Sequence, residues 1–141
     1  MKKLTFYLSI LFALTSLLAA CGGNEPEPQP VDNSPSVRFL LPRDGTTVSS
    51  PVEVKMDAIN FTIEEAGPVN ENAGHFHIMI NEDCVENGTI IPADDGHVHF
   101  GKAQTETELD LEPGEYTLCL QIGDGLHTAT ELVDTISITV E

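Results

Sequence analysis

The feature that most constrains the fold of this chain is the spacing of its apolar residues, which from Val37 onward recur at every second position. Val52, Val54 and Met56, for example, are separated by single charged residues. A period of two is typical of a β-strand with one face buried, and no long stretch has the period of an amphipathic helix. The sequence therefore predicts an all-β domain.

The same alternation returns in further short segments, and turn-forming residues separate them. Two strands are predicted within 36–57, around the turn at 42–45, and others at 76–80, 106–111, 116–121 and 136–140. Short strands over about a hundred residues favour an immunoglobulin-like antiparallel β-sandwich spanning residues 37–141. A small β-barrel is the alternative.

The first 20 residues have the pattern of an export signal. Lys2 and Lys3 precede an apolar run that ends at Ala20, and the run is too short to favour a membrane span. Small residues stand directly before Cys21, an arrangement that resembles the lipobox of bacterial lipoproteins. We therefore predict a signal peptide over residues 1–20 and lipid attachment at Cys21, with an ordinary signal peptide and a chance cysteine as the alternative.

The segment 21–36 predicts a tether. It is rich in Gly, Pro and acidic residues and has no apolar periodicity, so it cannot bury enough surface to fold. Lipid on Cys21 would hold the domain at a membrane of the bacterial cell envelope. Gly22 after the cysteine favours the outer membrane, while Glu25 and Glu27 fit a surface-export signal of other phyla.

The charge of the chain excludes one class of partner. The formal net charge is −17, with 23 acidic residues against six basic ones. Nucleic-acid binding needs a positive surface that displaces counterions from phosphates, so no nucleic-acid partner is expected.

Two cysteines lie within the domain, Cys84 and Cys119. With Cys21 modified by lipid, these two form a pair in an oxidising compartment, where a disulfide is the expected state. The alternative is a pair of thiolate metal ligands.

All five histidines lie in three short groups. They are His75, His77, His97, His99 and His127. In a strand, residues i and i+2 point to the same face, so each His-x-His segment forms a pair of imidazoles. Their apolar neighbours take the core side, so the imidazoles should face away from the core, where solvent or a metal could reach them. Neutral imidazoles are ligands for copper and zinc, and the sequence predicts such a site.

Three further residues are candidates for this site. Asp94 and Asp124 could bind the ion or orient an imidazole, and Met79 continues the His75 and His77 face with a thioether suited to copper. The alternatives to a metal site are a hydrogen-bonded histidine network that shapes a loop or a ligand groove, and chance placement.

At these residues the chain resembles a bacterial family known only as domain of unknown function four-three-nine-nine. The matching segments read LPRDGTTVSSPVEVKM, GHFHIMIN, IPADDGHVHFGKAQTETELDLEPGEYTL and LQIGDGLH. The pattern falls on Gly74, His75, His77, His99, Phe100, Gly101, Gln104, Thr105, Glu106, Pro113, Gly114, Asp124 and His127. The chain departs from it at Phe76, where the family often has histidine, and at 128–130, where the family is proline-rich. The resemblance implies no activity.

The sequence thus predicts an envelope lipoprotein whose domain binds copper or zinc. The alternative is a module without metal that binds another ligand or an envelope protein, or that serves a structural role. An enzyme is not expected, because no serine, cysteine or glutamate stands beside a histidine as a nucleophile or general base would. A metalloenzyme related to superoxide dismutase only by analogy is a minor possibility, and the oligomeric state is left open.

Overall fold

The computed structural model of the protein describes residues 32–141. Within this range the chain forms strands and no helix. The strands are β1 (Ser36–Leu41), β2 (Thr46–Val48), β3 (Val52–Ile59), β4 (Thr62–Ile63), β5 (Ala73–Ile80), β6 (His97–His99), β7 (Glu106–Leu109), β8 (Gly114–Gly123) and β9 (Ala129–Val140). None of the described residues belongs to a helix long and apolar enough to cross a bilayer.

The strands form two sheets. One has the order β1-β3-β7, and the other has the order β2-β9-β8-β5-β4, with β6 also paired to β5. The predicted all-β sandwich architecture is confirmed. Two pairings differ from the antiparallel prediction, because β2 runs parallel to β9 and β4 runs parallel to β5.

The core lies between the sheets and follows the predicted alternation. Val52, Val54 and Met56 of β3 are buried, and Phe76 and Ile78 of β5 contribute to the same cluster. Burying a side chain of this size contributes about 1.5–3 kcal/mol relative to leaving it exposed. These contacts hold β5, the strand that carries two of the histidines, in the middle of its sheet.

The outer face of β5 and β8 is also buried, which the alternation does not predict. The segment 81–96, between β5 and β6, covers this face. Its start is held by a disulfide between Cys84 and Cys119, whose Cα atoms are 5.6 Å apart. The predicted disulfide is confirmed, and neither cysteine remains as a thiolate ligand.

Gln121 adds a second attachment for the covering segment. Its side chain is buried, accepts a hydrogen bond from the Val85 N–H at 2.8 Å and donates to the Val85 carbonyl at 2.8 Å. The side-chain amide nitrogen of Gln121 also donates a hydrogen bond to the Thr130 carbonyl at 2.9 Å. The beginning of the cover is therefore attached to β8 through a covalent bond and a fully satisfied amide.

Several predictions concern the N-terminal part of the chain. The signal peptide at 1–20, lipid attachment at Cys21 and most of the tether lie outside the described residues. Of the predicted tether, residues 32–35 have no regular secondary structure, and Ser36 begins β1.

Candidate metal centre

The two His-x-His segments lie on neighbouring strands. β5 and β6 pair antiparallel, with His77 opposite His99 and Met79 opposite His97. On the other side of β5, His75 lies opposite Gly123 of β8. The register therefore brings three imidazoles to one patch of the outer face.

A fourth imidazole reaches this patch from the turn that follows β8. His127 has a positive φ of 68°. Asp124 shapes the turn, because its Oδ1 atom accepts hydrogen bonds from the N–H groups of Leu126 and Thr128, each at 2.8 Å. Asp124 thus positions His127 rather than joining the imidazoles.

Together, His75, His77, His99 and His127 form what we call the four-histidine cluster. Their ring centroids lie between 4.8 and 5.8 Å apart, in all six pairs. One nitrogen from each of the first three rings lies within 4.8 Å of the others. The Nε2 atoms of His99 and His127 are 3.1 Å apart.

These distances suit a shared ion. Tetrahedral zinc with Zn–N bonds of about 2.0–2.1 Å keeps its ligand nitrogens about 3.3 Å apart. The Nε2 atoms of His99 and His127, 3.1 Å apart, are close to this spacing, and one nitrogen each of His75, His77 and His99 lies within 4.8 Å of the others.

Two members of the cluster are deeply buried, contrary to the expectation that these imidazoles would be accessible. His75 is 0% exposed and His77 is 2% exposed, because the covering segment closes over the outer face of the sheet. Both ring nitrogens of each residue have no hydrogen-bond partner among residues 32–141. An unpartnered buried polar group costs about 1–3 kcal/mol, so this arrangement needs a reason.

Burial keeps these imidazoles neutral. It lowers the pKa of His75 to about 4, with a further contribution from His127 and His99. It lowers the pKa of His77 to about 3, again with the neighbouring imidazoles as the second cause. The pKa of His99 is lowered as well, first by burial and then by His127. At neutral pH, His75, His77 and His99 therefore present the unprotonated nitrogens that a metal requires.

The fifth histidine does not join the cluster. The Nδ1 atom of His97 lies 2.7 Å from Asp94 Oδ1, and its Nε2 atom lies 3.7 Å from Glu82 Oε2. His97 shares a face with His99, but it lies opposite Met79 in the register, and both of its ring nitrogens are directed to carboxylates instead of the four rings. His97 therefore forms a separate group with two carboxylates, and Asp94 is a partner of this group rather than of the cluster.

Met79 also lies apart from the point where the four rings meet. It is fully buried on the outer face, opposite His97 on one side and Cys119 on the other. These neighbours make it part of the packing beneath the covering segment.

Two glycines give the imidazoles their space. A Cβ atom on Gly101 would overlap the His99 ring, and one on Gly123 would lie 2.8 Å from His77 Nε2. Gly101 belongs to the resemblance pattern, whereas Gly123 escaped the sequence analysis. Its signal in the sequence is a glycine directly before Asp124, where β8 ends and the turn that carries His127 begins.

A small cavity adjoins the cluster. Its volume is about 230 Å³, and its walls are His77, Ile90, Ile91, Pro92, Ala93, His99 and His127. Three imidazoles form one side, and apolar residues of the covering segment form the other. The backbone N–H of Ile91 donates to the His127 carbonyl at 2.9 Å, which joins the two sides.

Comparisons with known proteins identify a family without a described activity. A family model described as "Domain of unknown function (DUF4399)" matches residues 54–141, which is more than half of the chain. No curated protein matches. Among solved structures, the endo-beta-1,4-mannanase from Thermotoga petrophila is similar over 77% of this chain and 20% of that chain, with 20% identity and a TM-score of 0.43. That likeness is too low to bear on the activity of this chain.

Proposed function

This chain belongs to the DUF4399 family, and we propose that its domain binds one copper or zinc ion through His75, His77, His99 and His127. The observation that carries the proposal is the burial of four imidazole nitrogens, on His75 and His77, without a hydrogen-bond partner among the described residues. A metal bound at one nitrogen of each ring would give a partner to two of these four nitrogens.

The donor set favours transition metals. Neutral imidazole binds zinc and copper well, whereas calcium and magnesium prefer oxygen ligands. Among residues 32–141 no carboxylate is grouped with the nitrogens of His75, His77 and His99; Asp124 accepts hydrogen bonds in the turn, and Asp94 bonds to His97. The proposed ligands are therefore nitrogens alone.

A hydrogen-bonded histidine network is the second interpretation of the same residues. The short contact between His99 and His127 is compatible with it. The two most buried members, His75 and His77, make no such bond, although a network built for stability would satisfy them first. The metal proposal accounts for these two residues, and the network does not.

The cellular setting is part of the proposal. We infer a lipoprotein held at the cell envelope through Cys21, with the outer membrane favoured, and an envelope protein as a possible partner. Incorporation of labelled palmitate, and its loss in the Cys21→Ser variant, would test the attachment. This test is independent of the metal.

Metal binding can be tested on the soluble chain from Gly22 to Glu141. Equilibrium dialysis against zinc or copper, followed by elemental analysis, should give one ion per chain. The His77→Gln variant should bind the ion more than 100-fold more weakly, exceeding the 10–100-fold effect typical of an outer-shell residue.

The matched control is His97→Gln, because His97 is also a buried histidine on the same face but lies outside the cluster. It should keep tight binding. Equal loss in both variants, or no bound ion in the unaltered protein, would contradict the proposal.

A further inference from the structure

We propose that a metal in the four-histidine cluster exchanges its His127 ligand for one from solution, a small monoanion with a short apolar tail, bound in the adjoining cavity. This inference rests on the proposed metal site. It assigns that site a ligand class, and its experiment separates failure of the ligand from failure of the metal.

The first step is the direction in which the site can accept another donor. His75 and His77 would reach the metal from β5, and His99 would reach it from the neighbouring strand β6. One nitrogen of each lies within 4.8 Å of the others, and this set of three does not include His127. Zinc sites with three protein ligands characteristically keep a fourth position for an exchangeable ligand.

The second step is the position of the cavity. His77, His99 and His127 all line it, so it lies on the side where the fourth donor would approach. His127 is held on a turn and is only partly buried, whereas His75 and His77 are fixed within a buried strand. An incoming ligand would therefore compete with His127 rather than with His75 or His77, while His99, although exposed, is held in β6 by its pairing with His77.

The third step is the chemistry of the opposite wall. Ile90, Ile91, Pro92 and Ala93 supply it; Ile91 is 4% exposed, whereas the other three are exposed at the rim of the cavity. The cavity volume is about 230 Å³, whereas one water molecule takes about 30 Å³ of the liquid. A single metal-bound water would leave most of this apolar space unused, so the wall favours a ligand with a short hydrocarbon tail.

The fourth step is charge. An imidazole binds a metal in its neutral form, so histidine ligands alone would leave the two positive charges of a divalent ion uncompensated. Asp124 is the carboxylate whose charge acts on His75, and its Oδ1 atom is already engaged in the turn. Buried charge is costly unless it is paired, so a donor with one negative charge is preferred over a neutral one.

Cobalt(II) is the probe for this proposal, because its visible absorption reports coordination number. The soluble chain from Gly22 to Glu141, loaded with cobalt(II), should change its spectrum when azide is added. Acetate, propionate and butyrate should then bind with increasing affinity, by about fourfold for each added methylene, until the cavity is full.

Three variants sharpen the test. His127→Ala should bind cobalt more weakly, through the three remaining histidines, and at cobalt concentrations that saturate this site it should bind azide more tightly, because the competing imidazole has gone. Ala93→Leu should retain cobalt and lose the preference for butyrate, because the larger side chain narrows the cavity. The double variant His75→Ala/His77→Ala reports any cobalt and azide complex formed elsewhere on the chain.

The outcomes separate the two levels of the proposal. Absence of the cobalt spectrum in the folded protein would overturn the metal site itself. A cobalt spectrum that azide leaves unchanged, or equal affinities for acetate and butyrate, would overturn the ligand while leaving the metal site standing.

Discussion

Acidification of the metal-free protein should destabilise the domain through His75 and His77. Burial lowers their folded-state pKa values to about 4 and about 3, from an ordinary value of 6.5. The unfolded chain binds these two protons and the folded chain does not, so protons favour unfolding. This stability is fully present above a pH of about 6.5 and is lost as the pH falls toward the folded-state values.

The size of the effect follows from the proton uptake. At a pH of about 5, each histidine is protonated in the unfolded chain and neutral in the folded one. Between about pH 7.5 and about pH 5, the free energy of unfolding should therefore fall by about 2 kcal/mol per histidine, or about 4 kcal/mol in total. That is a large share of the 5–15 kcal/mol typical of a whole domain.

Urea unfolding measures this directly, in the presence of a chelator and with the disulfide intact. The reference is the double variant His75→Gln/His77→Gln, whose side chains stay neutral throughout the range. Its free energy of unfolding should fall less on acidification than that of the unaltered protein, because the two titrating imidazoles are gone. Some decrease should remain in both proteins, because the carboxylates contribute their own pH dependence. Parallel stability curves for the two proteins would refute the reasoning about buried neutral imidazoles.

Two further predictions concern the frame around the cluster. Replacing Cys84 and Cys119 with serine should lower the free energy of unfolding, measured by urea titration, by about 2–5 kcal/mol. The rate of amide hydrogen exchange in the covering segment should also rise. An unchanged exchange rate would mean that the disulfide does not hold this segment in place. Gly123→Ala should weaken zinc binding in a calorimetric titration, because the added Cβ would lie 2.8 Å from His77 Nε2. Gly67→Ala is its control, since a Cβ there meets nothing within 4 Å, and equal affinity in these two glycine variants would contradict the geometry.

Much of the fold could be predicted from the recurrence of apolar residues at every second position. Single charged residues between Val52, Val54 and Met56 identify a strand with one buried face, and the structure buries all three. The parallel pairing of β2 could not be predicted in this way. Its three residues are too few to show a period, and its partner β9 lies about ninety positions further along the chain.

The candidate site was predicted in part. Alternation assigns His75 and His77 to the face opposite the core, and it assigns His97 and His99 to one shared face. It does not give the register between strands, which sets His99 beside His77 and His97 beside Met79. Register depends on long-range pairing, and nothing in the local spacing encodes it.

The burial of His75 and His77 could not be predicted for a different reason. Alternation indicates which side of a strand faces the core, but it does not indicate what covers the other side. The cover here is the segment 81–96, which has no apolar period of its own. Only its attachment through Cys84 was visible in the sequence, and that attachment does not reveal the path of the rest.

His97, the histidine outside the cluster, contacts the covering segment near its end. The covering segment is fixed at its start by the disulfide and Gln121. Near its end, Asp94 contacts His97 at 2.7 Å and also accepts a hydrogen bond from the Gly96 N–H at 3.0 Å. His97 thus ties the end of the cover to β6, as Cys119 ties its start to β8. These contacts restrain the covering segment at both ends over the buried rings of His75 and His77, whereas His99 is exposed and His127 is half-buried. Five histidines that look equivalent in sequence therefore divide into four that converge and one that contacts the covering segment.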